Sequence, residues 1–287
     1  MLQHETELLL PSVADPTTAC GRDGNQRLLV LAAHPDDETI GASQMLGALP
    51  GATVVYLTDG APREVKFRSP HFSGSRELYA SVRAEEAVAA LAQVQLSPQQ
   101  ILFLSASDQE AIFHVGELVY ELLGVVEEFR PSIIVTHAYE GGHPDHDTAA
   151  LVARLTVELT PRRNLPRPEL VEMTSYHALR GKLVTGEFLA TSPLTSGNIR
   201  GGVLLNMSAA ERMRKARMLA CYVSQSHVLS PIPLEPERLR RAPVYDFTQP
   251  CHPGALWYEV LGWPLTGWRW RQLAGQALAQ YGELACR

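Results

Sequence analysis

The sequence has no cysteine pair close enough to form a metal knuckle or a redox motif. Its four cysteines, Cys20, Cys221, Cys251 and Cys286, are scattered, which excludes a C-x-x-C thiolate site and gives no disulfide framework. Reduced thiols in a cytoplasmic protein are the simplest reading. A basic excess is also missing: 25 Lys and Arg stand against 31 Asp and Glu, a net charge of -6. That balance argues against nonspecific nucleic-acid binding, while leaving room for a local basic pocket. Long apolar runs are absent too. Met1 to Pro11 holds only Leu8-Leu9-Leu10 among acidic residues, so no secretory signal is expected. No run reaches the roughly 20 residues that span a bilayer, so no integral membrane segment is expected.

What is present is a regular alternation. Residues 1–26 form an irregular lead-in rich in Pro, Thr, Asp and Gly. Residues 27–33, 52–57, 100–104 and 132–136 are short apolar runs that predict buried parallel strands. Helical spacing follows each, over residues 39–49, 76–93, 115–129 and 147–159. Residues 170–177 and 202–206 suit further strands. Residues 208–222 predict a charged helix capped by Ser208, with Glu211 at the capping-box position. From about 230 to 264 the pattern dissolves into Pro, Arg and aromatic residues, and a last helix is expected over 268–284. Four strand–helix units predict a Rossmann-like α/β fold: a doubly wound, mostly parallel sheet with helices on both faces and a C-terminal elaboration.

In open sheets of this kind ligands bind beyond the carboxyl ends of the strands, at a switch in strand order. Three polar clusters fall there. His34-Pro-Asp-Asp-Glu38 follows the first strand, Thr58-Asp59-Gly60 the second, and the stretch from His137 to His143-Pro-Asp-His146 the fourth. The first and fourth strands would be neighbours at the switch, bringing two His/Asp clusters across one crevice. Imidazoles and carboxylates suit zinc, and a catalytic zinc keeps three protein ligands and an open position. Three consecutive side chains in a turn stiffened by Pro35 cannot all reach one ion, so Asp36 and Asp37 should have different jobs. One therefore binds metal and the other serves as general base. Of His143 and His146, one ligates and the other donates a proton or hydrogen bond, with Asp145 fixing its tautomer.

Ala33-His-Pro-Asp-Asp-Glu38 and His143-Pro-Asp-His146 resemble the LmbE-like, PIG-L-type de-N-acetylases, which act on N-acetylglucosaminyl conjugates. Thr58-Asp59-Gly60, Arg83-Ala-Glu-Glu86 and Tyr222-Val-Ser-Gln225 extend the resemblance over residues 27–226. The resemblance implies Zn2+ held by His34, Asp37 and His146, with Asp36 as general base. His143, oriented by Asp145, would stabilise the oxyanion and could later protonate the leaving amine. Arg83 would contact substrate hydroxyls or the aglycone, and the substrate would be an N-acetylated amino-sugar conjugate. It further implies one deacetylase domain over 1–287, made of the lead-in 1–26, a catalytic core 27–226 and an elaboration 227–287. A homo-oligomer is compatible with it. Some members carry a tyrosine two residues before the first histidine of the second motif. Here that residue is Gly141, and the nearest tyrosine is Tyr139.

Blander readings stand beside these. Asp37-Glu38 also suits the start of a helix, and Asp59 is as well placed for a plain turn as for a substrate-binding wall. Arg83 and Glu86 are spaced for an exposed i, i+3 pair. Arg212, Arg214, Lys215 and Arg217 suit a solvated helix face, and Arg238, Arg240 and Arg241 suit the surface. Trp257, Trp263, Trp268 and Trp270 suit core packing more than a sugar platform. Two histidines and a carboxylate would also serve a mononuclear iron enzyme, and a noncatalytic carbohydrate-binding protein is the alternative from another class.

Overall fold

In the computed structural model of the chain, residues 27–189 and 202–285 are described. The lead-in 1–26 therefore lies outside the described residues, as do Cys20 and Cys286. β1 (Leu28–Ala32), β2 (Thr53–Thr58), β3 (Ile101–Ala106) and β4 (Ile133–His137) pair in parallel, together with β5 (Glu169–Met173). β6 (Tyr176–Leu179) and β7 (Lys182–Thr185) form a separate antiparallel hairpin, so the run expected at 170–177 is broken after Met173. β8 (Val203–Leu205) and β9 (Glu237–Arg241) complete a seven-stranded sheet of order β3-β2-β1-β4-β5-β9-β8, its last pairings antiparallel. The chain winds outward from β1 to β3 and then returns to place β4 on the other side of β1. The switch in strand order therefore falls between β1 and β4.

Alternation along β1 explains the two layers. Leu29 and Leu31 enter one core with Val55, Leu57 and Ile134, whereas Leu28, Val30 and Ala32 enter the other with Val54, Tyr56 and Val135. The first core is closed by α3 (Val115–Phe129), α4 (Pro144–Leu159) and α8 (Gly267–Ala285). The second is closed by α1 (Asp37–Ala48), α2 (Arg76–Ala92) and α5 (Ala209–Cys221). Two short helices, α6 (Ser226–Leu229) and α7 (Trp257–Val260), lie near the cavity described below. Fully burying one such Leu or Val contributes about 1.5–3 kcal/mol, so these inward rows dominate the packing energy. Among the described residues no helix is long and apolar enough to cross a membrane.

Three expectations about charged residues are corrected. Ser208 caps α5 with the expected capping box, but Lys215 on that helix is buried: its Nζ donates to Ile40 O at 2.7 Å and to Glu237 Oε1 at 2.8 Å. The stretch read as patternless contains β9, whose Arg240 is buried and bonds Glu172 Oε2 at 2.8 Å. Arg83 does not pair with Glu86, which instead accepts from Ser224 N and Oγ. Of the tryptophans, Trp270 is core, its Nε1 donating to Pro144 O and Thr148 Oγ1, and Trp268 is exposed.

Candidate active site

The ends of β1 and β4 deliver the two motifs to one recess. α1 begins at Asp37 and α4 at Pro144, with His143 as its N-cap. Asp36 sits at φ 125, a backbone conformation strained for a residue with a Cβ. Its N–H donates to Glu38 Oε2 at 3.1 Å, and Glu38 is itself held by Tyr222 OH at 2.6 Å and by Thr39. Arg83 closes the clamp, its Nη2 donating to Pro35 O and to Asp36 Oδ2. The unusual turn sends the two adjacent carboxylates to different neighbours.

Asp37 lies among the imidazoles. Its Oδ2 is 3.2 Å from His34 Nδ1, and its Oδ1 is 3.2 Å from His146 Nε2. Ligands about 2.0–2.1 Å from a tetrahedral zinc lie about 3.3–3.4 Å apart, so these separations suit a shared ion. His146 Nε2 is buried and has no hydrogen-bond partner, as expected of a lone pair reserved for a cation. His137 Nε2 is also near Asp37, at 3.4 Å, but it accepts the Ala33 N–H at 3.1 Å and its lone pair is occupied. The Nδ1 of His143 accepts the Asp145 N–H at 3.1 Å, which leaves the proton on Nε2. The groups of possible donors are His34, His143 and His146; His34, Asp108, His143 and Asp145; and Asp37, His137 and His146, so His34 and Asp37 fall in different groups that share His146. Imidazole and carboxylate donors of these kinds fit zinc.

Asp145 orients His143 through its main chain, not its carboxylate. The carboxylate lies 4.0 Å from His143 Nδ1; it meets His34 Nε2 at 3.1 Å and accepts from Gln109 N and Ala111 N. That is the carboxylate–histidine arrangement that fixes a metal-binding imidazole, with His34 Nδ1 left toward Asp37. Asp59 stands apart from the cavity-lining residues. It pairs with Arg76 and accepts from Ala61 N at 3.0 Å.

The electrostatics separate the groups further. Burial is the largest influence on Asp36 and outweighs Arg83, pushing its carboxyl up to about 7. Burial also opposes ionisation of Asp37, yet the imidazoles of His146 and His137 hold it well below the usual carboxylate range. Burial, together with His34 and His146, holds His143 well below its ordinary value and therefore neutral. Burial disfavours the cationic form of His34, but Asp108, Asp145 and Asp37 raise it well above the usual value; the recess attracts positive charge.

Asp108 is a site residue that the sequence did not disclose. It lies on the turn after β3, 3.3 Å from His34 Nε2 and 3.9 Å from His143 Nε2. A lone Asp in Ser107-Asp-Gln-Glu110 has no motif to mark it. The tyrosine beside the cluster is Tyr176, its ring 5.1 Å from His146. Tyr139 is packed against Phe247 and Trp270, and its hydroxyl donates to Gln249 O. Gly142 permits this arrangement, because a Cβ there would lie 1.9 Å from Tyr176 O. The cluster opens into a cavity of about 350 Å³ also lined by Arg83, Trp257 and Trp263. The Trp263 ring stands edge-on to His143, centroids 4.6 Å apart.

A family profile described as "PIG-L: GlcNAc-PI de-N-acetylase" matches residues 29–157, which contain both motifs. That stretch of the chain is similar to the PIG-L family. A curated relative from Catenulispora acidiphila, named 1D-myo-inositol 2-acetamido-2-deoxy-alpha-D-glucopyranoside deacetylase 1, is 32% identical over 169 residues, covering 51% of this chain and 50% of the relative. The chain thus spans about half the length of this curated relative. The fold matches that of N,N'-diacetylchitobiose deacetylase from Pyrococcus horikoshii, with a TM-score of 0.55 at 14% identity over 85% of this chain and 94% of that one. It also matches a 4-carboxy-2-hydroxymuconate hydratase from Pseudomonas putida, with a TM-score of 0.50 at 17% identity over 72% and 82%. This fold carries more than one chemistry, so function has to be argued from the site.

Proposed function

We propose that the chain hydrolyses the N-acetyl amide of an amino-sugar conjugate of the N-acetylglucosamine type, releasing acetate and a free amine, with zinc held by His34, Asp37 and His146. The observation that carries this reading is the division of labour between adjacent carboxylates: Asp37 sits among the histidines while Asp36, tied to Arg83, faces the same cavity. The names of the curated relatives support the reaction class. When bound, zinc acidifies a water and polarises an amide carbonyl.

The remaining work falls to the chain. Asp36 accepts the proton of the attacking water as the new C–O bond forms. His143 is neutral with its proton on Nε2, so it donates a hydrogen bond to the oxyanion; removing one such donor costs about 2.7–4 kcal/mol of transition-state stabilisation. Asp36 then returns its proton to the amide nitrogen as the C–N bond breaks. Arg83 keeps Nε and Nη1 buried and without a hydrogen-bond partner, which suits contact with a substrate hydroxyl. Asp59, apart from the cavity lining, holds Arg76 and the neighbouring turn.

Asp36→Ala is expected to retain stoichiometric zinc by metal analysis and to lose about 100- to 10,000-fold in turnover, the range for a general base. His34→Ala is expected to lose the metal. Loss of zinc from Asp36→Ala would exchange the roles of the carboxylates. Amine release from a panel of N-acetylated sugar conjugates, restored by zinc and not by iron after chelation, separates this reading from an iron enzyme and from a binding protein.

A further inference from the structure

The wall of the cavity that is not part of the His/Asp cluster is largely carbon. Phe67, Leu183, Val228, Ile232, Leu261 and Trp263 line it, drawn from four separate stretches of the chain. Three of them are also open to solvent: Leu183 is 38% exposed, Val228 45% and Leu261 49%. Large apolar side chains left wet singly are ordinary; several converging on the mouth of one cavity mark a contact surface for an apolar group. Phe67 and Trp263 extend that surface inward, their rings 5.4 Å apart, with the Trp263 edge resting on His143.

Charge narrows the ligand further. Among the described residues that line the cavity, Arg83 is the one Lys or Arg; its Nη2 is engaged with Asp36 and Pro35 O, and the side chain is buried beside Asp36, away from the solvent-exposed rim. Asp36, Asp37 and Asp108 supply negative charge. An anionic group beyond the sugar would meet carboxylates and hydrocarbon. Thr185, Gln225 and His227 also line the cavity, but a polyol would still set most of its hydroxyls against carbon, where they lose water without gaining partners. An alkyl or aryl group meets a surface of its own kind.

We infer that the group joined to the amino sugar in this protein's substrate is an uncharged alkyl or aryl aglycone, bound by the apolar rim formed by Leu183, Val228, Leu261 and Trp263. The inference rests on the reading above, which seats the amino sugar at the His/Asp cluster.

The test is calorimetric binding of matched α-linked N-acetylglucosaminides to the full chain without added metal: octyl (below its micelle concentration), phenyl and myo-inositol. The octyl and phenyl compounds should bind at least tenfold more tightly than the inositol one. Leu261→Glu and Val228→Glu alter exposed side chains, so both variants should fold. Each should weaken octyl binding tenfold or more while leaving inositol binding within twofold. Equal or tighter binding of the inositol compound, or an equal loss for all three ligands in the variants, overturns the inference. Sugar-free phosphatidylcholine vesicles form a second arm: cosedimentation abolished by Leu261→Glu, without any octyl preference, would assign the rim to a lipid surface and also overturn it. Amine release distinguishes the two readings. An octyl preference without deacetylation of any glycoside sinks the proposed reaction alone, and deacetylation without the preference sinks this inference alone.

Discussion

Asp36 and Asp37 are chemically identical neighbours that the fold makes opposite. A positive φ at Asp36 turns its side chain toward Arg83, and the helix that starts at Asp37 turns the next carboxylate toward His34 and His146. Arg83 lowers the Asp36 pKa against the larger effect of burial. Removing the guanidinium therefore raises that pKa further. Because the proposed reaction needs Asp36 ionised, Arg83→Gln should move the acid limb of the kcat/KM profile to higher pH. A profile displaced downward, or one that merely falls in height at unchanged position, contradicts this role for Arg83. The motif histidines and carboxylates were readable because they are contiguous and follow apolar runs. Asp108 and Tyr176 were not, since each reaches the cluster through folding alone.

Elements that hold the site in place are tied by charges inside the protein. Lys215 of α5 bonds the Ile40 carbonyl of α1 and the Glu237 carboxylate of β9, and Glu237 also accepts from Ser43 Oγ and Gln44 N. The network anchors the helix that begins at Asp37. Truncating one partner of a buried pair strands the other, so Lys215→Met should cost about 3–5 kcal/mol in urea unfolding. The double change Lys215→Met with Glu237→Gln should recover most of that loss. An additive double variant would show that the two charges do not depend on each other. This pairing also explains why β9 escaped the sequence reading. Glu-Arg-Leu-Arg-Arg alternates without apolar partners on both faces, and its buried charges are matched by Glu172 and Lys215, far away in sequence. β1 to β4 were legible because carbon alone satisfies their surroundings.

For the molecule as a whole, pH acts on stability through carboxylates enclosed by the fold. Asp147 Oδ1 accepts from Glu140 N and Gly141 N, while its Oδ2 is buried and unpartnered. Burial outweighs those two bonds and pushes its carboxyl up to about 8. The folded state therefore binds this proton more tightly than the unfolded chain, whose carboxyl titrates at about 3.9. The stabilisation is complete below that unfolded value and is lost as pH rises through about 8. Asp147→Asn cannot ionise, so its melting temperature relative to the parent should climb between pH 5 and 9, by about the same curve in the presence or absence of zinc. A constant difference across that range would place the Asp147 proton elsewhere.

The edge-on contact of Trp263 with His143 joins two stretches of the chain that are far apart in sequence. Residues 29–157 contain the motif histidines and carboxylates, while Tyr176, Leu183, Val228, Leu261 and Trp263 all come later. On the reading proposed above, the reacting groups come from the first stretch and the apolar rim from the second. On that reading, substitutions in the later stretch would change which compound is held while leaving the proposed reacting groups in place.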